Sequence, residues 1–146
     1  MKSIFDQPVR DEIINRIKAL NSSGKANWGK MSVEQMVRDC ILCEKYYLGE
    51  VKAKRSLLGR LFGRKAINGI LKNGLPKNAS TRPQFVVTEE VNHLEEEKEK
   101  WATLIESYGS YSADHFKHWF FGNMTRDELG RFVYKHCNHH LSQFDC

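Results

Sequence analysis

The 146-residue chain is 40% hydrophobic, which suits one compact core, so we expect a single domain over residues 1–146. No apolar run approaches the roughly 20 residues of a membrane span, and the N-terminus is too charged for a signal peptide, which predicts a cytoplasmic protein. The formal charge of +5 is uneven: residues 51–88 hold nine Lys or Arg and no acid, leaving 14 bases against 18 acids elsewhere.

The N-terminal third contains two segments with a helical period. The first is predicted from about Pro8 to Leu20, with Asp6 as its N-cap. The second begins at Ser32, which has capping-box spacing to Gln35, and runs to about Leu48. Both carry apolar stripes, so both are expected to pack against a core.

Two more amphipathic helices are predicted in the C-terminal half. The third covers residues 88–109 and places on one face Val91, Leu94, Trp101, Leu104, Ile105 and Tyr108. The fourth starts at a capping box of Thr125 and Glu128. Its inward stripe consists of Leu129, Phe132, Val133, His136, His140 and Phe144.

Residues 51–85 separate the second and third helices and are interrupted by glycines. We expect this basic crossover to hold one or two short basic amphipathic helices. Four long helices with one long crossover predict an all-α four-helix bundle, in which sites are built from side chains on facing helices.

The fourth helix carries two imidazoles on its inward stripe. Because residues four apart share a helix face, His136 and His140 can present their rings to one ion. On the second helix, Asp39 falls on or beside the buried face, where a lone carboxylate is costly unless it meets a cation or donors. The three residues form a two-histidine, one-carboxylate set, which is typical of catalytic zinc and non-haem iron sites.

Other interpretations stay open at these positions. Each histidine could hydrogen-bond across a core without any metal. Cys40 and Cys43 form a C-x-x-C pair with no second pair to complete a structural zinc site, and they are interpreted as packing thiols. Cys137 is rotated about 100° from His136 and is not expected to ligate, and all the cysteines are expected to be reduced.

Several motifs resemble those of the DinB-like (DinB/YfiT-like) superfamily of metal-binding four-helix bundles, within a branch of bacterial proteins of uncharacterised function. The matching stretches cover nearly the whole chain: "FDQPVRDEIINRIKAL", "WGKMSVEQMVRDC", "LGRLFG", "PKN", "VTEE" and "HWFFGNMTRDELGRFVYKHCNHHLSQF". In that family a second-helix histidine and an H-x-x-x-H pair on the last helix bind a divalent metal. The resemblance therefore implies His136 and His140 as ligands.

The chain departs from the family at Asp39, which stands where the family has its second-helix histidine. A carboxylate there favours harder ions such as Mn²⁺ or Fe²⁺, with Zn²⁺ and Ni²⁺ still compatible, or it marks a lineage without the metal. Relatives in the superfamily include thiol S-transferases that use low-molecular-weight thiols, an isomerase of a thiol conjugate and hydrolases. Homodimers are frequent among them, so a homodimer is a further expectation.

A catalytic base could come from His139, or from His118 in the loop before the fourth helix. The alternative for His118 is a ring that bonds backbone in an aromatic loop. The sequence thus predicts a metal-dependent transferase or hydrolase acting on a small substrate. A metal-free binding or interaction module is the alternative.

The basic crossover is most simply a solvated segment. It could also contact phosphate-bearing ligands, nucleic acid or a membrane surface through its charge. Four apolar residues lie among its arginines and resemble an interfacial helix: Leu57, Leu58, Leu61 and Phe62. A nucleic-acid reader would need base-stacking aromatics, and the crossover has only Phe62 and Phe85, so nucleic acid is not the expected partner.

Overall fold

A computed structural model describes residues 1–79 and 86–146, and these residues are mostly helical. In chain order the elements are α1 (Gln7–Ala19), α2 (Val33–Tyr47), α3 (Leu57–Asn73), α4 (Leu94–Ser107), β1 (His115–His118), β2 (Gly122–Thr125) and α5 (Arg126–Gln143). A 3₁₀ turn, Tyr108–Ser110, continues α4.

Two helices begin at the capping boxes predicted from the sequence. The Ser32 hydroxyl accepts a hydrogen bond from the Gln35 backbone N–H, and the Gln35 side chain accepts from the Ser32 N–H. Thr125 and Glu128 repeat the arrangement at the start of α5. Each box satisfies two backbone donors that a helix start otherwise leaves unpaired, which fixes where the helix begins. Asp6 is the N-cap of α1, although its side chain makes no capping hydrogen bond.

The third predicted helix begins six residues later than expected. His93, the residue before α4, has a left-handed backbone with φ of 67°, and a right-handed helix cannot continue through it. The prediction of helix from residue 88 was therefore wrong, and Val91 lies outside the helix. Trp101, Ile105 and Tyr108 are fully buried, as the apolar stripe predicted.

In the described part of the crossover, residues 51–79, there is one basic helix, α3, and at 17 residues it is longer than the short helices predicted. Gly59 and Gly63 pack against the backbone of Phe120, so closely that a Cβ at either position would overlap the Phe120 carbonyl oxygen. Phe85 and Arg82, one of the nine basic residues of the crossover, lie outside the described residues.

A β-hairpin between α4 and α5 was not predicted. β1 and β2 are antiparallel, with His115 opposite Thr125 and His118 opposite Gly122. Gly122 has a φ of 81°, a value that favours glycine, where the chain enters β2. The hairpin delivers the chain directly into α5, because Thr125 is both the last residue of β2 and the α5 N-cap.

Helix packing brings the two ends of the chain together. α4 packs against α1 and α2, while α5 packs against α1, α2 and α3. The core between them includes Ile13, Met36, Ile67, Trp101 and Leu129. All four cysteines are free thiols. Within the described residues, no helix combines the length and the apolar character that a membrane crossing requires.

Candidate metal centre

α2 and α5 turn three polar side chains toward each other inside the protein. Asp39, His136 and His140 are all buried, with 2%, 6% and 8% of their surface exposed. The two rings lie 4.7 Å apart between centroids, as the i, i+4 spacing predicted. The side chains that the sequence proposed as ligands therefore lie together, although they come from distant parts of the chain.

His140 faces Asp39 across a gap that is too long for a good hydrogen bond. His140 Nε2 lies 3.7 Å from Asp39 Oδ2. On its other side, His140 Nδ1 lies 3.4 Å from Gln143 Oε1, and the Gln143 amide nitrogen donates to the Trp28 carbonyl at 2.7 Å. Because Trp28 fixes the amide orientation, Gln143 can only accept from Nδ1–H. The neutral ring then turns the lone pair of Nε2 toward a carboxylate oxygen.

Two further atoms of these side chains have no hydrogen-bond partner among the described residues. They are Asp39 Oδ1 and His136 Nδ1. Buried polar atoms are almost always paired, so two unpaired atoms on side chains that line the same cavity need explanation. A cation or a proton between them would satisfy the carboxylate and the imidazoles together.

The three residues open onto a cavity of about 150 Å³. Its polar lining contains Asp39, Cys43, Tyr47, His118, His136, His139 and His140, and its apolar walls include Ile70, Leu75, Trp119, Phe121 and Phe132. All five residues predicted as ligands or bases thus line one cavity, whose walls come from α2, α3, α5, the hairpin and the residues that follow α3.

Cysteine sulfurs come within metal-binding reach of the same side chains. In the described part of the chain, two groups have ligand atoms that all lie within 4.8 Å of one another: Asp39, Cys43 and His136, and Cys40, His136 and His140. His136 belongs to both groups, and the predicted trio is split between them. Both thiols are buried, but only Cys43 also lines the cavity. Its four-residue spacing from Asp39 on α2 is the sequence signal that could have identified it.

Burial sets the protonation of the cluster. It raises the pKa of Asp39 from 3.8 to about 7. It lowers the pKa of His140 to about 4, with the charge of His139 adding to the effect, and holds the pKa of His136 well below 6.5. Both rings are therefore neutral near pH 7, which is the state in which imidazole binds a metal.

His118, at the end of β1, makes two hydrogen bonds with the backbone of the hairpin turn. Its Nδ1 accepts from the N–H groups of Phe120 at 3.1 Å and Phe121 at 3.2 Å, and its ring stacks on Phe121. Burial, helped by the positive charge of Arg55, lowers its pKa to about 3. The neutral ring must carry its proton on Nε2 and can present a donor there. This geometry favours the backbone-bonding alternative over a role as base.

His139 is half-buried at the cavity wall, and its ring lies 5.3 Å from those of Trp28 and His140. Partial burial lowers its pKa. Among the described residues it forms no ion pair and no side-chain hydrogen bond, so both ring nitrogens remain available. Of the two predicted bases, His139 is the one whose surroundings leave it free to take a proton.

A second buried acid lies one residue beyond Cys43. Glu44 is fully buried and accepts hydrogen bonds from the Tyr108 hydroxyl and, at 3.2 Å, from the Cys137 thiol. Burial raises its pKa from 4.5 to about 7, and these hydrogen bonds partly offset the effect. Cys137 therefore packs with Glu44, and it belongs to neither candidate ligand group.

The fold and the site define a class of protein: mostly helical, with a buried cluster of histidine, carboxylate and thiol side chains. The chain belongs to the DUF1569 family, described as a protein of unknown function, which it matches over residues 4–145. No curated protein and no solved structure matches the chain.

Proposed function

We propose that the protein is a metal-dependent enzyme of the DinB-like superfamily, with one divalent ion held by Asp39, His136 and His140. Zn²⁺, Mn²⁺, Fe²⁺ and Ni²⁺ all suit this mixed donor set. In this proposal α1, α2, α4 and α5 are the four helices of the bundle and α3 belongs to the crossover. The helix pairs that pack together support that assignment.

The observation that carries the proposal is the opposition of His140 and Asp39. Two acceptors, Nε2 and Oδ2, face each other at 3.7 Å, while Asp39 Oδ1 and His136 Nδ1 have no partner in residues 1–79 and 86–146. Such an arrangement is unfavourable when nothing positive lies between the acceptors. Gln143 fixes the His140 tautomer in the way that outer-shell groups orient metal-binding histidines.

The surrounding residues have roles that follow from their protonation. A bound cation would stabilise the anionic form of a water or thiol, the species that attacks an electrophile. His139 is positioned to accept a proton at the cavity wall. His118 lines the same cavity and can donate a hydrogen bond from its Nε2–H, because its Nδ1 is engaged by the backbone.

The cavity favours a small substrate. Its volume of about 150 Å³ is below the roughly 300–1,000 Å³ of sites for drug-sized ligands. Aromatic walls from Trp119, Phe121 and Phe132 suit an apolar or sulfur-containing group. These features support thiol S-transferase or hydrolase chemistry, with a low-molecular-weight thiol as one substrate.

Elemental analysis of tag-free protein tests the metal. We expect about one equivalent of a divalent metal per chain, lost in His140→Ala and retained in the neighbouring His139→Ala. Metal-free wild-type protein after reconstitution with each of the four ions would reject the proposal.

The alternative is a metal-free binding module, and one observation favours it. With a pKa of about 7, Asp39 can hold a proton and donate it to His140 Nε2, so a proton replaces the cation in the gap. In that case wild-type protein binds none of the four ions. His140→Ala then removes only the Nε2 atom that accepts the proton of Asp39, and no metal site is lost.

A further inference from the structure

α3 exposes an apolar face at its N-terminal end. Leu57, Leu58, Leu61 and Phe62 have 77%, 63%, 77% and 56% of their surface exposed. Leu57 and Leu61, like Leu58 and Phe62, are four residues apart, so the four side chains form one continuous patch over two turns. An isolated exposed leucine is ordinary, but four large apolar side chains on one helical face mark an interaction surface.

Contacts made by the opposite face of α3 keep this patch exposed to solvent. Gly59 and Gly63 pack against the Phe120 backbone, and Ile67 and Leu71 are buried in the core. Arg55 donates to the carbonyl oxygens of Trp119 and Gly59, which ties the start of α3 to the hairpin turn. Rotating the helix to bury its leucines would break all these contacts, so the patch needs an external partner.

The unpaired charges on α3 beside the patch are all positive, since Arg64 on the same helix is ion-paired with Glu128 of α5. Arg60, Lys65 and Lys72 are exposed on α3 and form no ion pair with any described residue. Lys65 and Lys72 fall within the angular sector of the patch, because the 100° spacing of a helix places them between Leu61 and Leu58. Residues 51–88 contain no Asp or Glu at all. An occupant of this surface must therefore supply both apolar contact and negative charge.

A second copy of the chain fits this requirement poorly. A two-fold contact would place each patch against the same patch of the partner, with its Arg60, Lys65 and Lys72 facing like charges. Like charges across an interface cost several kcal/mol. A bilayer with anionic headgroups supplies negative charge and an apolar interior, and amphipathic helices with basic flanks lie in such interfaces.

We propose that the exposed face of α3 docks the protein on anionic phospholipid membranes. Leu57, Leu58, Leu61 and Phe62 insert among the acyl chains, and Arg60, Lys65 and Lys72 contact the headgroup phosphates. The surface is separate from the candidate metal centre, so this inference does not depend on the proposed enzyme activity. α3 nevertheless contributes to both the exposed patch and the candidate metal centre, because Ile70 on its C-terminal half lines the cavity.

Vesicle co-sedimentation tests the proposal with phosphatidylcholine vesicles, with and without phosphatidylserine, at low and physiological salt. We expect binding to the anionic vesicles and weaker binding as salt increases. Lys65→Glu should weaken binding about fivefold or more, while Lys18→Glu, an exposed charge reversal on α1, should leave it within about twofold. Leu57→Ser combined with Leu61→Ser should weaken it more than about tenfold.

Three results would overturn this inference. The first is the absence of binding to anionic vesicles at low salt. The second is binding that responds to Lys65→Glu but not to the double leucine variant, which would indicate charge adsorption alone. The third is a stable dimer in analytical ultracentrifugation that the leucine variant converts to monomer, which would assign the patch to a second copy. Since all substituted side chains are exposed, circular dichroism should show unchanged helix content in each variant.

Discussion

His140 directs its Nε2 toward Asp39 Oδ2 at 3.7 Å, although 101 residues separate them in the chain. The separation exceeds that of a good hydrogen bond, and two facing acceptors need a positive species: a divalent ion at this separation, or a proton on Asp39 if the two side chains move closer. Whether that species is a divalent ion or a proton distinguishes an enzyme from a binding module. The predictions below address this gap and the structure that supports it.

Gln143 should control metal affinity without contacting the metal. Its Oε1 accepts from His140 Nδ1 and its amide is held by the Trp28 carbonyl, so Gln143→Met removes the group that orients the imidazole. Loss of such an outer-shell partner typically weakens metal binding about 10–100-fold. Competition titration with a chelating indicator measures the dissociation constant, and Gln7→Met, an exposed change on α1, is the control. An unchanged constant in Gln143→Met would show that this hydrogen bond does not position the ligand.

Cobalt substitution should reveal which cysteine, if either, binds the metal. Co²⁺ bound by a thiolate has a sulfur-to-metal charge-transfer band in the near ultraviolet, separate from the visible bands that report coordination geometry. The proposed ligands Asp39, His136 and His140 supply only nitrogen and oxygen, so we expect visible bands without a charge-transfer band. A charge-transfer band that is lost in Cys43→Ser would add Cys43, which lines the cavity beside Asp39, to the ligands. Loss in Cys40→Ser alone would assign the metal to the group with His136 and His140. Visible bands without a charge-transfer band would identify a site of nitrogen and oxygen ligands.

Glu44 should make the metal-free protein less stable as pH rises. Its pKa is about 7 when folded and near 4.5 when unfolded, so its contribution is complete below pH 4.5, declines as pH rises to about 7 and is constant above. The full difference is roughly 3 kcal/mol. Glu44→Gln removes this titration. Asp39 keeps a contribution of the same sign, while His118, His136 and His140, whose pKa values burial lowers, contribute with the opposite sign in both proteins.

Urea unfolding at pH 5 and pH 8 in the presence of a chelator measures the effect of Glu44→Gln. The change in the free energy of unfolding from pH 5 to pH 8 should be more positive in the variant than in wild type, because the variant lacks the loss that Glu44 contributes. Glu34→Gln, on the same helix, is the control and should reproduce the wild-type difference. Equal differences in wild type and Glu44→Gln would mean that Glu44 ionises at an ordinary pH.

Periodic features of the sequence were enough to predict which side chains meet. Helical spacing placed His136 above His140 and put Asp39 on the inner face of α2, and two capping boxes fixed where α2 and α5 begin. Cys43 shares the Asp39 spacing and could have been added to the cluster. Helical spacing thus predicts which candidate ligands lie together when they are on the same helix.

Features that depend on backbone dihedral angles or on remote partners were not predictable. A left-handed His93 ends the helical pattern before α4, although no glycine or proline marks the position. The β1–β2 hairpin has only four residues in each strand, too few to show a clear alternation. The orientation of His140 depends on the Trp28 carbonyl, which reaches Gln143 only once the chain has folded.

Gly63 should be essential for holding α3 against the hairpin turn. A Cβ at this position would overlap the Phe120 carbonyl, so Gly63→Ala must push the turn away from the helix. Strain of this kind typically costs about 1–3 kcal/mol. The matched control is Gly69→Ala on the same helix, where the added Cβ meets nothing within 4 Å. That control should stabilise the protein by up to about 1 kcal/mol, because alanine has the higher helix propensity.

Displacing the turn should also disturb the cavity, since Trp119 and Phe121 flank Phe120 and line its wall. Thermal unfolding and metal titration of both glycine variants separate the two effects. We expect Gly63→Ala to lower the melting temperature and weaken metal binding, and Gly69→Ala to do neither. If Gly63→Ala lowers stability but leaves metal affinity intact, the turn supports the fold without shaping the site. If both variants behave alike, the close approach of α3 to Phe120 does not hold in solution.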